Sequence, residues 1–180
     1  MIRAATPADA AAIAAIYAPY VTDSIVSFEA EPPDAAEMRR RIESGGDLCP
    51  WFVAEADGAV AGYAYASAFR TRPAYRYTVE TSVYLAPAAC GRGLGDRLYR
   101  RLIETLTAQG FTQAIGAVTL PNPASVRLHE KLGFVRAGTY RQVGYKFGRW
   151  LDVELWQRPL AAPADPPAEP LRLGDQSMRR

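Results

Sequence analysis

An excess of charge of either sign is missing from this sequence. Its 21 lysines and arginines stand against 19 aspartates and glutamates, a net charge of +2. No basic run with interleaved aromatics occurs, so nothing argues for a nucleic-acid partner and a small molecule is the expected one. Cysteine is equally scarce. Cys49 and Cys90 are the only two, and they form neither a metal-ligand spacing nor a disulfide framework, so each reads as a reduced thiol. Histidine occurs once, at His129, and no metal is expected. No apolar run reaches the roughly 18 residues of a membrane span, and the N-terminus lacks the apolar stretch of a signal peptide. The expected location is the cytoplasm, with no membrane partner.

What is there is a chain of 180 residues, 49% of them hydrophobic, long enough for one domain with a full core. It is organised around residues 81–98. An apolar run over 79–86, rich in β-branched and aromatic residues, is ended by Pro87, which removes a ladder donor. Gly91, Gly93 and Gly95 then allow a tight turn and close approach of backbone amides to a ligand. Leu94, Leu98, Leu102, Ile103 and Leu106 follow at the spacing of a helix packed on a sheet. The amides at such a helix start favour an anion, most plausibly phosphate.

Three phosphate-loop readings compete for that turn. A P-loop needs Lys followed by Ser or Thr after its last glycine, where Asp96-Arg97 stands instead. A dinucleotide fingerprint needs G-x-G-x-x-G and a strand-end acid about 20 residues later, and neither is present. The third pattern is Arg or Gln, two residues, Gly, one residue, then Gly or Ala. Cys90-Gly91-Arg92-Gly93-Leu94-Gly95 resembles it, with Cys90 in the first place. This is the acyl-CoA loop of the GNAT acetyltransferases. Further on, Asn122-Pro123-Ala124-Ser125-Val126-Arg127-Leu128-His129-Glu130-Lys131-Leu132-Gly133-Phe134 resembles the second signature of that family. Here Asn122 suits the N-cap, Pro123 the first helical position and Gly133 the C-cap. With two motifs in the right order, the chain is identified as a member of the GNAT family.

Taken in order, the chain predicts a strand over 2–5 and an N-cap at Thr6-Pro7 with Asp9 three residues on. A first helix follows, with Ile13, Ile16, Tyr17 and Tyr20 on its core face, closed or kinked at Pro19. Residues 20–29 read as a short helix or turn, and Pro32-Pro33-Asp34 caps a helix over 35–44 ended by Gly45-Gly46. A hairpin of 51–55 and 60–67 turns at Asp57-Gly58. An arginine-bearing loop over 69–76 leads to the central strand. A helix over 93–109, a strand over 111–119, a short helix over 122–132 and strands over 134–140 and 150–157 complete the expected domain, residues 1–160. The expected fold class is α+β: a central mixed, mostly antiparallel twisted sheet flanked by helices, the GNAT architecture. The Ala-, Pro- and charge-rich residues 161–180 read as a disordered tail.

Three stretches narrow the resemblance: residues 76–84, residues 120–130, and Gly144-Tyr145-Lys146-Phe147-Gly148-Arg149-Trp150-Leu151-Asp152. They look like the phosphinothricin and methionine sulfoximine N-acetyltransferases, a likeness covering about residues 1–160. That resemblance implies acetyl transfer from acetyl-CoA to the α-amine of a small, amino-acid-like acceptor, by direct attack in a ternary complex, in a homodimer.

An amine attacks a thioester only when deprotonated, so such a site needs a base, an oxyanion donor and an acid for the departing thiolate. Glu80, on the central strand, is the expected base, its pKa raised by burial. His129 stands where many GNAT enzymes have a tyrosine that protonates the thiolate; imidazole can do the same work, though a lone helical histidine is as readily structural. Val83, Tyr84 and Leu85 would pair with the pantetheine arm as an added strand does. Residues Gly91, Arg92, Gly93, Leu94, Gly95 and Asp96 would cradle the pyrophosphate, with Asn122, Ser125 and Lys131 also on the cofactor. Arg92 reads equally as a solvated surface residue and Asn122 as a helix cap. For the acceptor, Arg70, Thr71, Arg72 and Arg76 precede Glu80 and offer bidentate contacts to carboxylate or phosphinate, and Thr81 and Ser82 add hydroxyls. Phe28, Trp51, Tyr75 and Trp150 are candidate pocket walls. Lys146 and Arg149 reach either this site or a partner's. The competing readings are a GNAT enzyme for another amine, a non-catalytic acyl-CoA-binding module, and an enzyme acting on charged tRNA. Glu80 and His129 together argue against the second, and the weak net charge against the third.

Overall fold

The computed structural model describes residues 1–175. Seven strands form one twisted sheet in the order β1-β2-β3-β4-β5-β7-β6. The strands are β1 (Ile2–Ala4), β2 (Trp51–Ala56), β3 (Ala59–Ala68), β4 (Thr78–Leu85), β5 (Gln113–Thr119), β6 (Val135–Lys146) and β7 (Arg149–Pro159). Four helices flank it: α1 (Ala10–Thr22), α2 (Ala35–Gly45), α3 (Leu94–Gln109) and α4 (Pro123–Lys131). All neighbouring strands are antiparallel except β4 and β5, so the sheet is the expected mixed, mostly antiparallel one.

The alternation of side chains along each strand makes two cores. On one face Trp51, Val53 and Tyr63 pack beneath Ile13, Ile16, Tyr17, Met38 and Ile42 of α1 and α2. On the other, Phe52, Ala64, Val79 and Val118 meet Leu98, Tyr99, Leu102 and Leu106 of α3. The β2–β3 hairpin turns at Asp57 and Gly58, both with positive φ, as the Asp-Gly pair predicts.

Three boundaries differ from expectation. Pro19 does not close α1: it sits inside the helix, which runs on to Thr22 and takes Tyr20 with it. No second short helix forms, and residues 23–34 are an irregular loop. Strand β6 does not end at Tyr140: a bulge between Tyr140 and Gly144, with Gln142 at φ 50°, lets it resume pairing with β7 as far as Lys146.

The expected tail is also different. Residues 160–175 run back over the body, with the Leu160, Leu171 and Leu173 amides donating to the Thr112, Gln109 and Asp47 carbonyls. Gln109, 1% exposed, ties this strap down by donating to the carbonyls of Asp47, Leu48 and Leu171. Leu160 and Leu173 pack against the α3-side core. Leu160 and Leu173, on either side of the prolines at 163–170, supply the anchors that composition alone hides. Residues 176–180 of that expected tail lie outside the described residues.

Candidate active site

Strands β4 and β5 pair only over residues 78–80 and 113–115, then separate. Glu80, opposite Ile115, is the last β4 residue in the ladder. Beyond it the edge of β4 faces a wedge between two diverging parallel strands, with no strand partner among the described residues.

At the mouth of the wedge lies a groove of about 420 Å³. Gly91 and Gly93, at φ 75° and 73°, turn the chain through the left-handed region and deliver it to the start of α3. No side chain caps that helix. Its first amides are therefore free for an anion, with the helix dipole adding to their pull. Gly95 lets α3 sit close on β4, since a Cβ there would lie 3.3 Å from Leu85 Cδ1. The lining brings together the expected Val83, Tyr84, Leu85, Gly91, Gly93, Gly95, Asp96, Asn122, Ser125 and Lys131. Asp96 would oppose an anion alone, but Arg100 and Lys131 stand 3.2 and 3.4 Å from its carboxylate and lower its pKa. Asn122 does cap α4, its side chain accepting from the Ser125 amide, while also lining the groove.

Two expected cofactor residues turn their side chains away from the groove, although the Leu94 amide still opens α3. The Arg92 side chain points to solvent, 4.0 Å from Asp57, and Leu94 is buried in the α3-side core. Tyr20 and Arg127, which sequence reasoning did not single out, join the lining. The Tyr20 hydroxyl donates to the Leu85 carbonyl at 2.7 Å, taking up one of the two lone pairs that oxygen could offer a pantetheine arm. Tyr20 was legible only as a core residue of α1, whereas Arg127 lies in the quoted motif on the groove side of α4.

Inside the wedge is a narrower space of about 50 Å³ lined by Thr81, Ser82, Val83, Ala117, Asn122, Ser125 and His129 among others. His129, 5% exposed, lies over Gly116 of β5, where any Cβ would collide with the imidazole. Its Nδ1 is 2.9 Å from the Ser125 carbonyl and its Nε2 is 3.2 Å from the Tyr99 hydroxyl. Burial pushes the imidazole below its ordinary pKa, with the Ser125 carbonyl acting the other way.

On the opposite face of the sheet, a cavity of about 380 Å³ holds Glu80 and Arg70 among apolar walls from Phe28, Phe69, Ile115, Ala117, Tyr140, Val143, Val153 and Leu155. Burial raises the Glu80 carboxyl above the usual range, and the Arg70 guanidinium offsets part of that rise. Arg70 is steadied by the rings of Phe69 and Tyr75, 4.9 and 5.9 Å from their centroids. Among the described residues it is the one cation lining this cavity.

The other expected acceptor residues are not brought there, though Thr81 and Ser82 border the adjoining wedge. Thr71 and Arg72 are exposed on the loop. The turn Pro73–Tyr75 carries Arg76 outward to Glu169, 2.8 Å away. Thr81 points to the α3-side core and bonds Tyr99 at 2.7 Å, because successive strand side chains face opposite ways. Of the four candidate pocket walls only Phe28 serves. Trp51 stacks on Tyr65 at 4.1 Å, Tyr75 packs on Phe69, and Trp150 is exposed. Lys146 instead clamps the 23–34 loop, donating to the Val21 and Ser27 carbonyls at 2.6 and 2.7 Å, while Arg149 is exposed.

The three spaces share walls. Val83, Tyr84, Asn122 and Ser125 border both groove and wedge, and Ala117 borders both wedge and Glu80 cavity. A sheet split between its parallel strands, with a glycine turn and an uncapped helix at the mouth, defines an acyl-CoA transferase class. Residues 2–156 match the family model described as an acetyltransferase (GNAT) domain. The chain is 45% identical over 171 residues to a phosphinothricin N-acetyltransferase of Streptomyces viridochromogenes, covering 94% of this chain and 93% of that one. It is 39% identical over 168 residues to an L-methionine sulfoximine/L-methionine sulfone acetyltransferase of Salmonella typhimurium, covering 93% and 98%. A solved phosphinothricin acetyltransferase from Sinorhizobium meliloti, in complex with AcCoA, has a TM-score of 0.86 and 44% identity, covering 89% of this chain and 88% of that one. The chain belongs to the GNAT acetyltransferase family.

Proposed function

We propose that this enzyme transfers acetyl from acetyl-CoA to the α-amine of a small amino acid or amino-acid analogue bearing one carboxylate. The observation that carries this reading is the position of Glu80. It stands where the pairing of β4 with β5 ends, facing a cavity that holds one arginine, with the wedge opening beside it. The acceptor carboxylate pairs with Arg70, a bidentate donor. The ammonium group then lies toward Glu80, whose raised pKa suits a group that must take a proton near neutral pH. The pyrophosphate rests on the amides at the start of α3, with Lys131 and Arg127 supplying positive charge. The acetyl group is carried down the wedge to meet the amine. Glu80 takes one proton from the ammonium, the free amine attacks the thioester carbonyl, and the carbon–sulfur bond breaks as the second proton shed by the nitrogen passes to the departing thiolate, a step in which His129 lies close. The relatives named for methionine sulfoximine and sulfone fit the apolar walls and single cation better than a doubly anionic acceptor does.

The same reading includes a cytoplasmic homodimer. Tyr140, Val143, Tyr145, Phe147 and Trp150 project from the β6–β7 edge, all exposed, and Tyr140 and Val143 also wall the acceptor cavity. A second copy covering that edge would bury the aromatics and close the cavity.

The test is thiol release from acetyl-CoA with phosphinothricin, methionine sulfoximine, methionine sulfone, free amino acids, a polyamine and a peptide, for wild type and Glu80→Gln. Saturable turnover on a free amino acid or analogue is expected, with kcat lowered about 100-fold or more in the variant. Turnover on the polyamine or peptide alone would overturn the acceptor class.

A further inference from the structure

The imidazole of His129 is held by a chain of buried hydroxyls for which the chemistry above has no use. Thr81 Oγ1 lies 2.7 Å from the Tyr99 hydroxyl, which lies 3.2 Å from His129 Nε2. Tyr99 has no exposed surface and Thr81 is 3% exposed, so solvent does not compete for these bonds.

The directions of the bonds follow from what each atom can do. A backbone carbonyl only accepts, so the contact of 2.9 Å between Nδ1 and the Ser125 oxygen puts a proton on Nδ1. A neutral imidazole carries one such proton, which leaves Nε2 as a lone pair. The Tyr99 hydroxyl is therefore the donor to Nε2. Having given its one proton there, its oxygen accepts from Thr81, whose bond to Tyr99 is much shorter than its 3.3 Å contact with the Ile115 carbonyl. Every bond then runs one way, from Thr81 through Tyr99 to the ring. Two further contacts fix the ring's plane: the edge of Tyr99 at 5.4 Å between centroids and the edge-on packing of Phe134 at 5.0 Å. Gly116 leaves the space in which the ring lies.

We infer that Tyr99 is a positioning residue for the acetyl transfer: its proton holds Nε2 toward the core and so fixes His129 as the Nδ1-protonated tautomer, and the Ser125 hydroxyl, 3.4 Å from Nδ1 and lining both groove and wedge, links the ring to the path of the thiolate. This rests on the reading of His129 as part of the reaction. It gives a purpose to a hydroxyl that a phenylalanine would replace with no change in packing, at a position where an unpartnered hydroxyl would be costly. In a chain with one histidine, the inference can be checked at a single atom.

Labelling with [15N]histidine gives a spectrum of His129 alone. In wild type, the expected result is a proton on Nδ1 and an Nε2 resonance displaced by an accepted hydrogen bond. A proton on Nε2 overturns the inference from the wild-type spectrum, with no variant needed. In Tyr99→Phe, Nε2 moves to the position of a lone pair without a donor, and kcat falls about tenfold, the value of one hydrogen bond, with KM for acetyl-CoA unchanged. An unmoved Nε2 resonance, or a moved one with wild-type kcat, overturns it. His129→Ala separates the two layers. Undiminished kcat in that variant overturns the catalytic reading of His129, and the Nε2 resonance of the Tyr99 variant tells that failure apart from a contact that was never made.

Discussion

At the scale of single residues, the acceptor cavity has one cation and one acid, and their roles separate in kinetics. Arg70→Gln removes the guanidinium but keeps a polar side chain over Phe69. We expect KM for the acceptor to rise about 10- to 100-fold, the range for a charge-assisted pair, with KM for acetyl-CoA unchanged, as measured by initial rates with each substrate varied. Loss of Arg70 also removes the charge that offsets burial at Glu80, so the acid limb of the pH–rate profile moves to higher pH. The sign is fixed because the base must be ionised and the variant makes ionisation harder. A second residue pair bears on stability. The Arg3 guanidinium, 2.7 Å from the buried Asp9, holds that carboxyl down to about 2. Its contribution is complete above the ordinary value of 3.8 and is lost as pH falls through about 2. Asp9→Asn should therefore cost about 1–2 kcal/mol in urea unfolding at pH 7, and much less near pH 2. Which residues were legible follows from strand geometry. Glu80 could be read because it is the one acid in a run of strand formers, yet the same alternation of side chains should have set Thr81 on the other face. Arg70 and Arg76 were alike in sequence, and only the turn at Pro73–Tyr75 separates them.

At the scale of elements, one loop depends on one strand that the sequence understated. Residues 23–34 carry Val26 to the cofactor groove and Phe28 to the acceptor cavity. The loop is fixed from outside, by Lys146 at the end of β6 and by the Phe28 ring lying against Gly144, where a Cβ would collide with it. From the inside, Tyr17 bonds Ser27 at 2.7 Å, and Arg41 bonds Glu29 at 2.8 Å. Lys146→Met strands two carbonyls, at a cost of about 1–3 kcal/mol. It should raise the acceptor KM several-fold and speed hydrogen exchange over 24–29, while α3 exchanges as before. Unchanged exchange in that loop would show that the Lys146 clamp does not hold it. The motif-bearing elements were legible because each carries its own punctuation: Asp57-Gly58 at the hairpin, Gly93 and Gly110 at the ends of α3, Asn122 and Pro123 at the start of α4. The far half of β6 was not. Its bulge uses Gln142 at φ 50°, a conformation that glutamine does not advertise, and its turn at Phe147 and Gly148 reads locally as loop. The strap over 160–175 was hidden for a related reason, since its hold comes from Gln109, 62 residues before the Leu171 carbonyl it bonds.

At the scale of the whole molecule, the sheet has two ends of different kinds. β1 is three residues long and closes one edge. β6, at the other edge, is twelve residues long, and its hairpin with β7 leaves Tyr145 63% and Trp150 61% exposed. A long edge strand with a cluster of aromatics is a surface that isolated soluble proteins avoid. A two-fold axis beside it would let each copy cover the other's cluster, since such an interface uses the same patch twice. The wall residues Tyr140 and Val143 lie on this edge, so assembly and acceptor binding are coupled in this reading, whereas the groove at the start of α3 lies away from it. Wild type is therefore expected to sediment at twice the mass of one chain, and the double variant Tyr145→Asp, Trp150→Asp at the mass of one, because two carboxylates on each copy would have to be buried in the contact. Binding of acetyl-CoA by calorimetry should survive the change within about twofold, while KM for the acceptor rises tenfold or more as the cavity loses its outer wall. A variant that is monomeric but binds the acceptor as wild type does would separate assembly from catalysis and leave each copy complete on its own. A wild type that sediments as a single chain would remove the dimer altogether, and the exposed aromatics would then need another partner.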